Sequence, residues 1–249
     1  MDIWQIFLII LGIFVIIFLI FALPRKINER VPSIEGLDIP EVAKSFERMA
    51  RTPPFKLLRK KIISQLKKLI PVGTLMDLGC GSGNLIIKIA KVFPNLELIG
   101  MDVSNEILSL AKKRVKEHSF NNKITFKVGN VENMPVPDNS IDFIVSSFSL
   151  HHWIEPLNAF KEIYRVLKQN GSCLIFDFRR NSRKFFYGLL TFATKIVVPK
   201  PLKDINEPIG SLKASYTANE IKEIFSQTFF EKFEITPYLA WMFIKLKKY

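Results

Sequence analysis

An apolar, strand-like run ends in Asp77-Leu78-Gly79-Cys80-Gly81-Ser82-Gly83-Asn84, where three glycines alternate just before a helical stretch. Glycine takes positive φ at little cost and lets a backbone approach a ligand, and a helix opening there directs its free N–H groups at the turn's contents. The feature restricts the chain to folds in which a strand feeds a helix through a tight turn. A lysine phosphate loop is excluded because no Gly-Lys-Ser/Thr follows. A dinucleotide fingerprint is weakened because Asn84 stands where its last glycine packs helix against sheet. A nucleotide-like cofactor fits this turn, and by itself so does an unliganded strand-to-helix connection.

The surroundings repeat the pattern. Helical periodicity is expected over about Pro40 to Arg51 and Pro54 to Leu69. Strands then follow at Thr74–Leu78, Leu96–Met101, Ile124–Val128, Phe143–Phe148 and Ser172–Phe178, with helices at Leu85–Val92, Asn105–His118 and Pro156–Leu167 between them. Asn170-Gly171 reads as a left-handed cap closing the last of these helices. A helix over Ala218–Phe229, with Thr217 as N-cap, leads to strands near Phe233–Pro237 and Trp241–Lys247, too close together for a crossover helix. The expected fold is α/β: a Rossmann-like, seven-stranded mixed sheet with helices on both faces and an antiparallel hairpin at its end.

The loop resembles motif I of the class I S-adenosylmethionine-dependent methyltransferases, an acidic residue followed by Gly-x-Gly-x-Gly, matched by Asp77, Gly79, Gly81 and Gly83. The likeness continues at Ile99-Gly100-Met101-Asp102-Val103-Ser104, where relatives end the second strand on an acid that holds both ribose hydroxyls. It continues again at Val128-Gly129-Asn130-Val131, where most carry aspartate in place of Asn130, and at Ser146-Ser147-Phe148-Ser149-Leu150-His151-His152-Trp153. The resemblance is to the UbiE-like, type 11 branch. It implies S-adenosyl-L-methionine as cofactor, with contacts from Asp77, Gly79, Cys80, Gly81, Gly83, Asp102, Val103, Asn130, Val131 and Ser147. Asp77 would orient the methionine end, Asp102 would hold the ribose, Asn130 would accept the adenine amino group, and Val103 and Val131 would sandwich the ring. Methyl transfer from a sulfonium is an in-line displacement that needs alignment and no metal. His151 and His152 stand at the acceptor edge of the sheet; His152 is the candidate proton acceptor, against a structural or packing role. His118, on a helix end, reads as a favourable C-terminal charge.

Residues Ile3 to Leu23 form a run of 21 without a charge, and a helix of that length reaches roughly 30 Å, about the thickness of a hydrocarbon core. Bulky residues to its end and the lack of a basic start argue against a cleaved signal peptide, and the lack of a polar face argues against a core helix. Residues 1–23 are thus expected as a single transmembrane helix, with Trp4 as interfacial anchor and Pro24 as terminator. Residues 24–40 are expected as a linker, and 41–249 as the methyltransferase domain. Arg25, Lys26 and Arg30 on its C-terminal side place that domain in the cytoplasm.

Composition narrows the remainder. With 48% hydrophobic and 24% charged residues the 249-residue chain can bury a core, and two cysteines make no disulfide scaffold or zinc site. A net charge of +13 suits contact with phosphates of lipid or nucleic acid, or reflects compositional bias. Residues 178–203 carry seven basic side chains and no acidic one around an apolar centre. Within an acceptor-side cap over 178–214, this stretch is expected to lie in a lipid interface, to close the cleft as an amphipathic cap, or both. The chain thus reads as a membrane-anchored methyltransferase acting on a small lipophilic acceptor, a lipid or quinone-like ring. A cofactor-binding scaffold that no longer catalyses is the alternative, and RNA ranks lower because no RNA-binding module is evident.

Overall fold

The computed structural model describes residues 2–23, 25, 27–33, 36–120 and 123–249. The roles given to Pro24 and Lys26 lie outside the described residues. Helix α1 (Ile3–Ala22) is opened by Asp2, whose carboxylate accepts the N–H of Gln5 while the Gln5 side chain accepts the N–H of Asp2. Its 18-residue stretch Ile3–Ile20 has a mean hydropathy of 3.1 and buries nothing against the rest of the chain.

Helices α2 (Pro40–Ala50) and α3 (Pro53–Leu69) both begin on proline, whose missing N–H costs nothing in a first turn. Then come β1 (Thr74–Leu78), α4 (Asn84–Val92), β2 (Glu97–Asp102), α5 (Asn105–Glu117), β3 (Ile124–Val128), β4 (Ile141–Ser147), α6 (Pro156–Val166) and β5 (Leu167–Phe178). The cap follows as α7 (Lys184–Phe192), a π-turn over Ala193–Val197, α8 (Lys200–Asp204) and α9 (Ile209–Ala214). The chain ends with α10 (Ala218–Phe225), β6 (Lys232–Pro237) and β7 (Trp241–Lys247).

The seven strands form one mixed sheet in the order β3-β2-β1-β4-β5-β7-β6, the architecture expected from the alternation. The first five run parallel, and β7 enters antiparallel between β5 and β6. Period-two alternation along β1 divides the core: Leu75 joins Ile62, Leu66, Ile86 and Ile89 on the face covered by α3 and α4, while Met76 and Leu78 join Phe160 and Phe225 on the face covered by α6 and α10. Burial on both faces is why these strands read as near-continuous apolar runs.

Two boundaries differ from the sequence reading. Helix α6 stops at Val166 and passes into β5 without the expected cap at Asn170-Gly171. Asn170 does take positive φ, but within a turn of β5, where its N–H donates to Lys248 O at 3.0 Å. The carbonyls at the end of α6 are satisfied from a distance: the Lys248 ammonium donates to Tyr164 O and Leu167 O, both at 2.8 Å. Helix α10 ends at Phe225, earlier than expected, because the chain turns to bring Phe230 into the core beside Phe225.

Candidate cofactor and acceptor site

The glycine turn is held from beneath by β2. Gly79 and Cys80 both donate their N–H to Met101 O, at 2.8 and 3.0 Å, and Gly81 donates to Asp102 Oδ2 at 2.8 Å. Gly79, Gly81 and Gly83 all take positive φ. Their roles nevertheless diverge. A Cβ on Gly83 would lie 3.3 Å from Ala111 Cβ, so that glycine lets α4 approach α5 and does not face a cavity. Gly79 and Gly81 line one, and a Cβ on Gly79 would sit 2.3 Å from Ser149 Oγ.

Two cavities adjoin at the C-terminal edge of the parallel strands, where open α/β sheets bind ligands. The first, of about 140 Å³, is bounded by the glycine turn, Asp102, Ser147, Phe148, the His151–His152 pair and an apolar wall that includes Phe46, Phe55 and Phe178. The second, of about 210 Å³, is bounded by Gly79, Asp102, Val103, Asn130, Val131 and Trp153. Gly79, Asp102, Ser149 and His152 border both. The structure thus brings Gly79, Cys80, Gly81, Asp102, Val103, Asn130, Val131, Ser147 and His152 of the expected site together. Asp77 and Gly83 line neither cavity.

Asp77 is fully buried on β1, and both its carboxylate oxygens lack a hydrogen-bond partner among the described residues. Burial, and then the nearby Asp102 charge, pushes its carboxyl well above the usual carboxylate range. An arriving cation reverses that balance, so the residue fits the ammonium of an amino-acid cofactor. Asp102 is also raised by burial, a tendency opposed by N–H donation from Gly81 and Ser104. Burial, with Asp77 and Asp102 next, raises the Cys80 thiol, so Cys80 is a neutral wall and not a nucleophile. Asn130 is exposed, and its amide oxygen accepts the N–H of Glu132 at 3.0 Å in a local turn, leaving its second lone pair for a ligand. Arg165 braces the following loop by donating to Met134 O and Val136 O while pairing with Glu162.

The strand β4 exit is reshaped by packing. Phe148 takes positive φ, uncommon for a bulky residue, and is held there by ring contacts with Phe55, Phe176 and Phe178. A short 3₁₀ turn, Leu150–His152, follows. The buried His151 ring places Nδ1 2.7 Å from Asp177 Oδ1, and its backbone N–H donates to Asp177 Oδ2 at 2.9 Å. The His152 ring lies 4.1 Å from that of His151, and burial, then His151, holds its pKa well below the ordinary histidine value. His152 Nδ1 is buried without a hydrogen-bond partner among the described residues. His118 lies far down the chain at the exposed C-cap of α5.

Several contributions to the site were not assigned from the sequence. Asp177 has its partner 26 residues away across neighbouring strands. Glu207, buried in the cap at the cavity, accepts hydrogen bonds from Ser33 and Ser211. Arg30 donates to Ala214 O at 2.6 Å and His151 O at 2.9 Å, and its guanidinium stacks over Tyr216 at 4.3 Å. Arg180 reaches Asn28 O and Ser215 O and pairs with Glu220. The segment after α1 is thereby clasped to the acceptor side of the site. Charge among apolar residues was the available signal for Glu207, whereas Arg30 reads in sequence only as a membrane flank.

Comparison with known proteins agrees with this geometry. A family model described as a methyltransferase domain matches residues 76–175. The chain is similar to the ubiquinone/menaquinone biosynthesis C-methyltransferase UbiE of Geotalea daltonii, with 28% identity over 177 residues, 70% of this chain and 75% of that one. It is 36% identical to the demethylmenaquinone methyltransferase of Lactobacillus johnsonii over 121 residues, 48% of this chain and 49% of that one. Its fold matches a solved SAM-dependent methyltransferase from Aquifex aeolicus, with TM-score 0.60, 20% identity and coverage of 84% of this chain and 98% of that one. It also matches phosphoethanolamine N-methyltransferase 2 of Haemonchus contortus in complex with S-adenosyl-L-methionine, with TM-score 0.65, 17% identity and coverage of 86% and 59%. The matched domain contains the glycine turn, Asp102, Asn130 and the β4 exit, and the chain is a class I S-adenosylmethionine-dependent methyltransferase.

Proposed function

We propose that this enzyme methylates a small lipophilic acceptor of the quinone-like class, drawn from the membrane in which α1 anchors it. The observation that carries the acceptor class is the apolar wall of the first cavity, where Phe148 is forced into positive φ between Phe55, Phe176 and Phe178, next to a neutral imidazole. A flat, apolar ring with one ionisable hydroxyl suits a pocket built this way. The relatives named for ubiquinone, menaquinone and demethylmenaquinone chemistry support the same class.

The cofactor supplies a methyl group activated by its sulfonium, and the protein supplies alignment. Asp102 would hold the ribose hydroxyls, Val103 and Val131 would flank the adenine ring, and Asn130 would receive its amino group. Asp77, beneath the turn, would orient the ammonium of the methionine end, directly once the turn admits it or through a water, while Gly79, Cys80 and Gly81 would provide backbone close to it. Gly83 keeps α4 and α5 in packing contact, and Ser147 borders the reacting centre. His152 takes the proton that the acceptor releases, since a histidine held neutral has a free nitrogen lone pair for it. Once bound, the cofactor would supply the methyl carbon for the new bond to the acceptor, keeping on its sulfur the electron pair of the broken carbon–sulfur bond. Asp177 fixes the neighbouring His151 and so the shape of the turn that carries His152.

The anchor reading is supported by the exposed apolar surface of α1, and Arg25 and Arg30 after it favour a cytoplasmic catalytic domain. Purified enzyme in lipid vesicles tests the proposal directly. With S-adenosylmethionine and a demethylated menaquinone, S-adenosylhomocysteine and methylated quinone are expected in equal amounts. Turnover on soluble amines or RNA with none on quinones or lipids would overturn the acceptor class.

A further inference from the structure

Helix α7 is apolar on two sides. Phe186, Tyr187 and Leu190 pack inward against Phe178, Ile209 and Leu212. The other side presents Leu189, Phe192 and Ile196 at three- and four-residue steps, one stripe along the helix and the turn that continues it, and Val197 extends it. Phe192 is 57% and Ile196 63% exposed, and no residue of α7 is fully buried. An exposed stripe of large apolar side chains on a soluble domain calls for a covering partner.

Three observations choose that partner. Helix α7 starts where α1 ends: Lys184 N lies 3.5 Å from Leu23 O, and the Arg25 guanidinium stacks on Tyr187 at 4.0 Å while donating to Arg180 O. The helix that carries the stripe therefore adjoins the C-terminal end of the apolar helix α1. Its flanks are cationic, with Lys195, Lys200 and Lys203 exposed and no acidic residue between 178 and 203. On its inner side α7 rests on α9, whose Ser211 borders the first cavity.

We infer that the outer stripe of α7 and the following π-turn seat in the surface of an anionic bilayer, making the cap a wall between lipid and acceptor cavity. This rests on the anchored, lipophilic-acceptor reading and adds to it the surface through which the acceptor is received. Apolar burial supplies the seating, and the lysines select negatively charged headgroups.

The test uses the full chain in vesicles. Nitroxide labels are placed through Leu189→Cys, Phe192→Cys and Ile196→Cys, with Lys88→Cys, at an exposed position of α4, as a water-facing control. Cys80 and Cys173 are buried. In vesicles containing phosphatidylglycerol the three stripe labels are expected to gain oxygen collisions and lose collisions with a water-soluble nickel chelate, while the control keeps both. Replacing Lys195, Lys200 and Lys203 by glutamate is expected to return the stripe labels toward water in those vesicles. Stripe labels that match the control, or that show dipolar broadening from a second copy which lipid dilution relieves, would overturn the inference. Quinone methylation is measured on the same vesicles, so immersed labels without quinone turnover count against the acceptor class alone.

Discussion

The backbone N–H of Gly81 donates to Asp102 Oδ2 at 2.8 Å, joining the glycine turn after β1 to the acid that ends β2. One carboxylate thus fixes the loop and borders both cavities. Asp102→Asn keeps the shape and removes the charge. A hydrogen bond to a charged group contributes about 1.5–3 kcal/mol, so S-adenosylmethionine affinity is expected to fall by roughly ten- to a hundredfold by calorimetry. Wild-type affinity in this variant would remove Asp102 from the ribose role.

Asp77 makes a prediction about protons. Its carboxyl is raised in the folded protein by burial and by Asp102. Between the unfolded value near 3.8 and the raised folded value, the native state holds the extra proton, so the unliganded protein loses stability as pH rises through this window. At a pH inside that window, binding of the cofactor's ammonium would draw Asp77 into its charged form and release the proton. Calorimetry in two buffers of different ionisation enthalpy should show that release for wild type and none for Asp77→Asn, which also binds more weakly.

Gly79→Ala tests the close approach of the turn to Ser149. The new Cβ would stand 2.3 Å from Ser149 Oγ at a residue with φ of +66°. Strain of this kind costs about 1–3 kcal/mol, read as a lower denaturation midpoint together with weakened cofactor binding. Adding Ser149→Gly should recover part of the loss, because it removes the clash and leaves the backbone cost.

His152 is held neutral, with its pKa well below the ordinary histidine value through burial and His151. The acid limb of kcat/KM for quinone methylation is therefore expected below pH 6.5, with a flat profile above it. His152→Ala should lower kcat by roughly 10²–10⁴-fold if the residue takes the proton, with cofactor affinity unchanged. A small loss with an unaltered pH profile would assign it to packing.

The parallel sheet and the glycine turn were legible because their determinants are local: apolar runs set the strands, and Asp77, Gly79 and Gly81 are neighbours in sequence. Partners set by tertiary packing were not. The His151–Asp177 contact joins the turn after β4 to the end of β5, and Lys248 closes α6 from the far end of the chain. Sequence gives Gly83 the same look as Gly79, yet only the packing of α5 shows that it faces Ala111. Nothing local distinguishes a phenylalanine destined for positive φ, so Phe148 could be placed on the strand edge but not in its strained conformation.

Arg30 ties the chain leaving α1 to the carbonyls of His151 and Ala214. On the anchored reading proposed above, a domain clasped so near the end of α1 would have little freedom to swing, and the clasp would set the altitude of its pocket above the lipid. An enzyme held in that way would search a plane, not a volume, and membrane dilution of its acceptor, more than cytosolic abundance, would set the encounter rate. Arg30→Ala should therefore loosen hydrogen exchange at residues 150–153 and make turnover less sensitive to how deeply the acceptor ring sits in the bilayer.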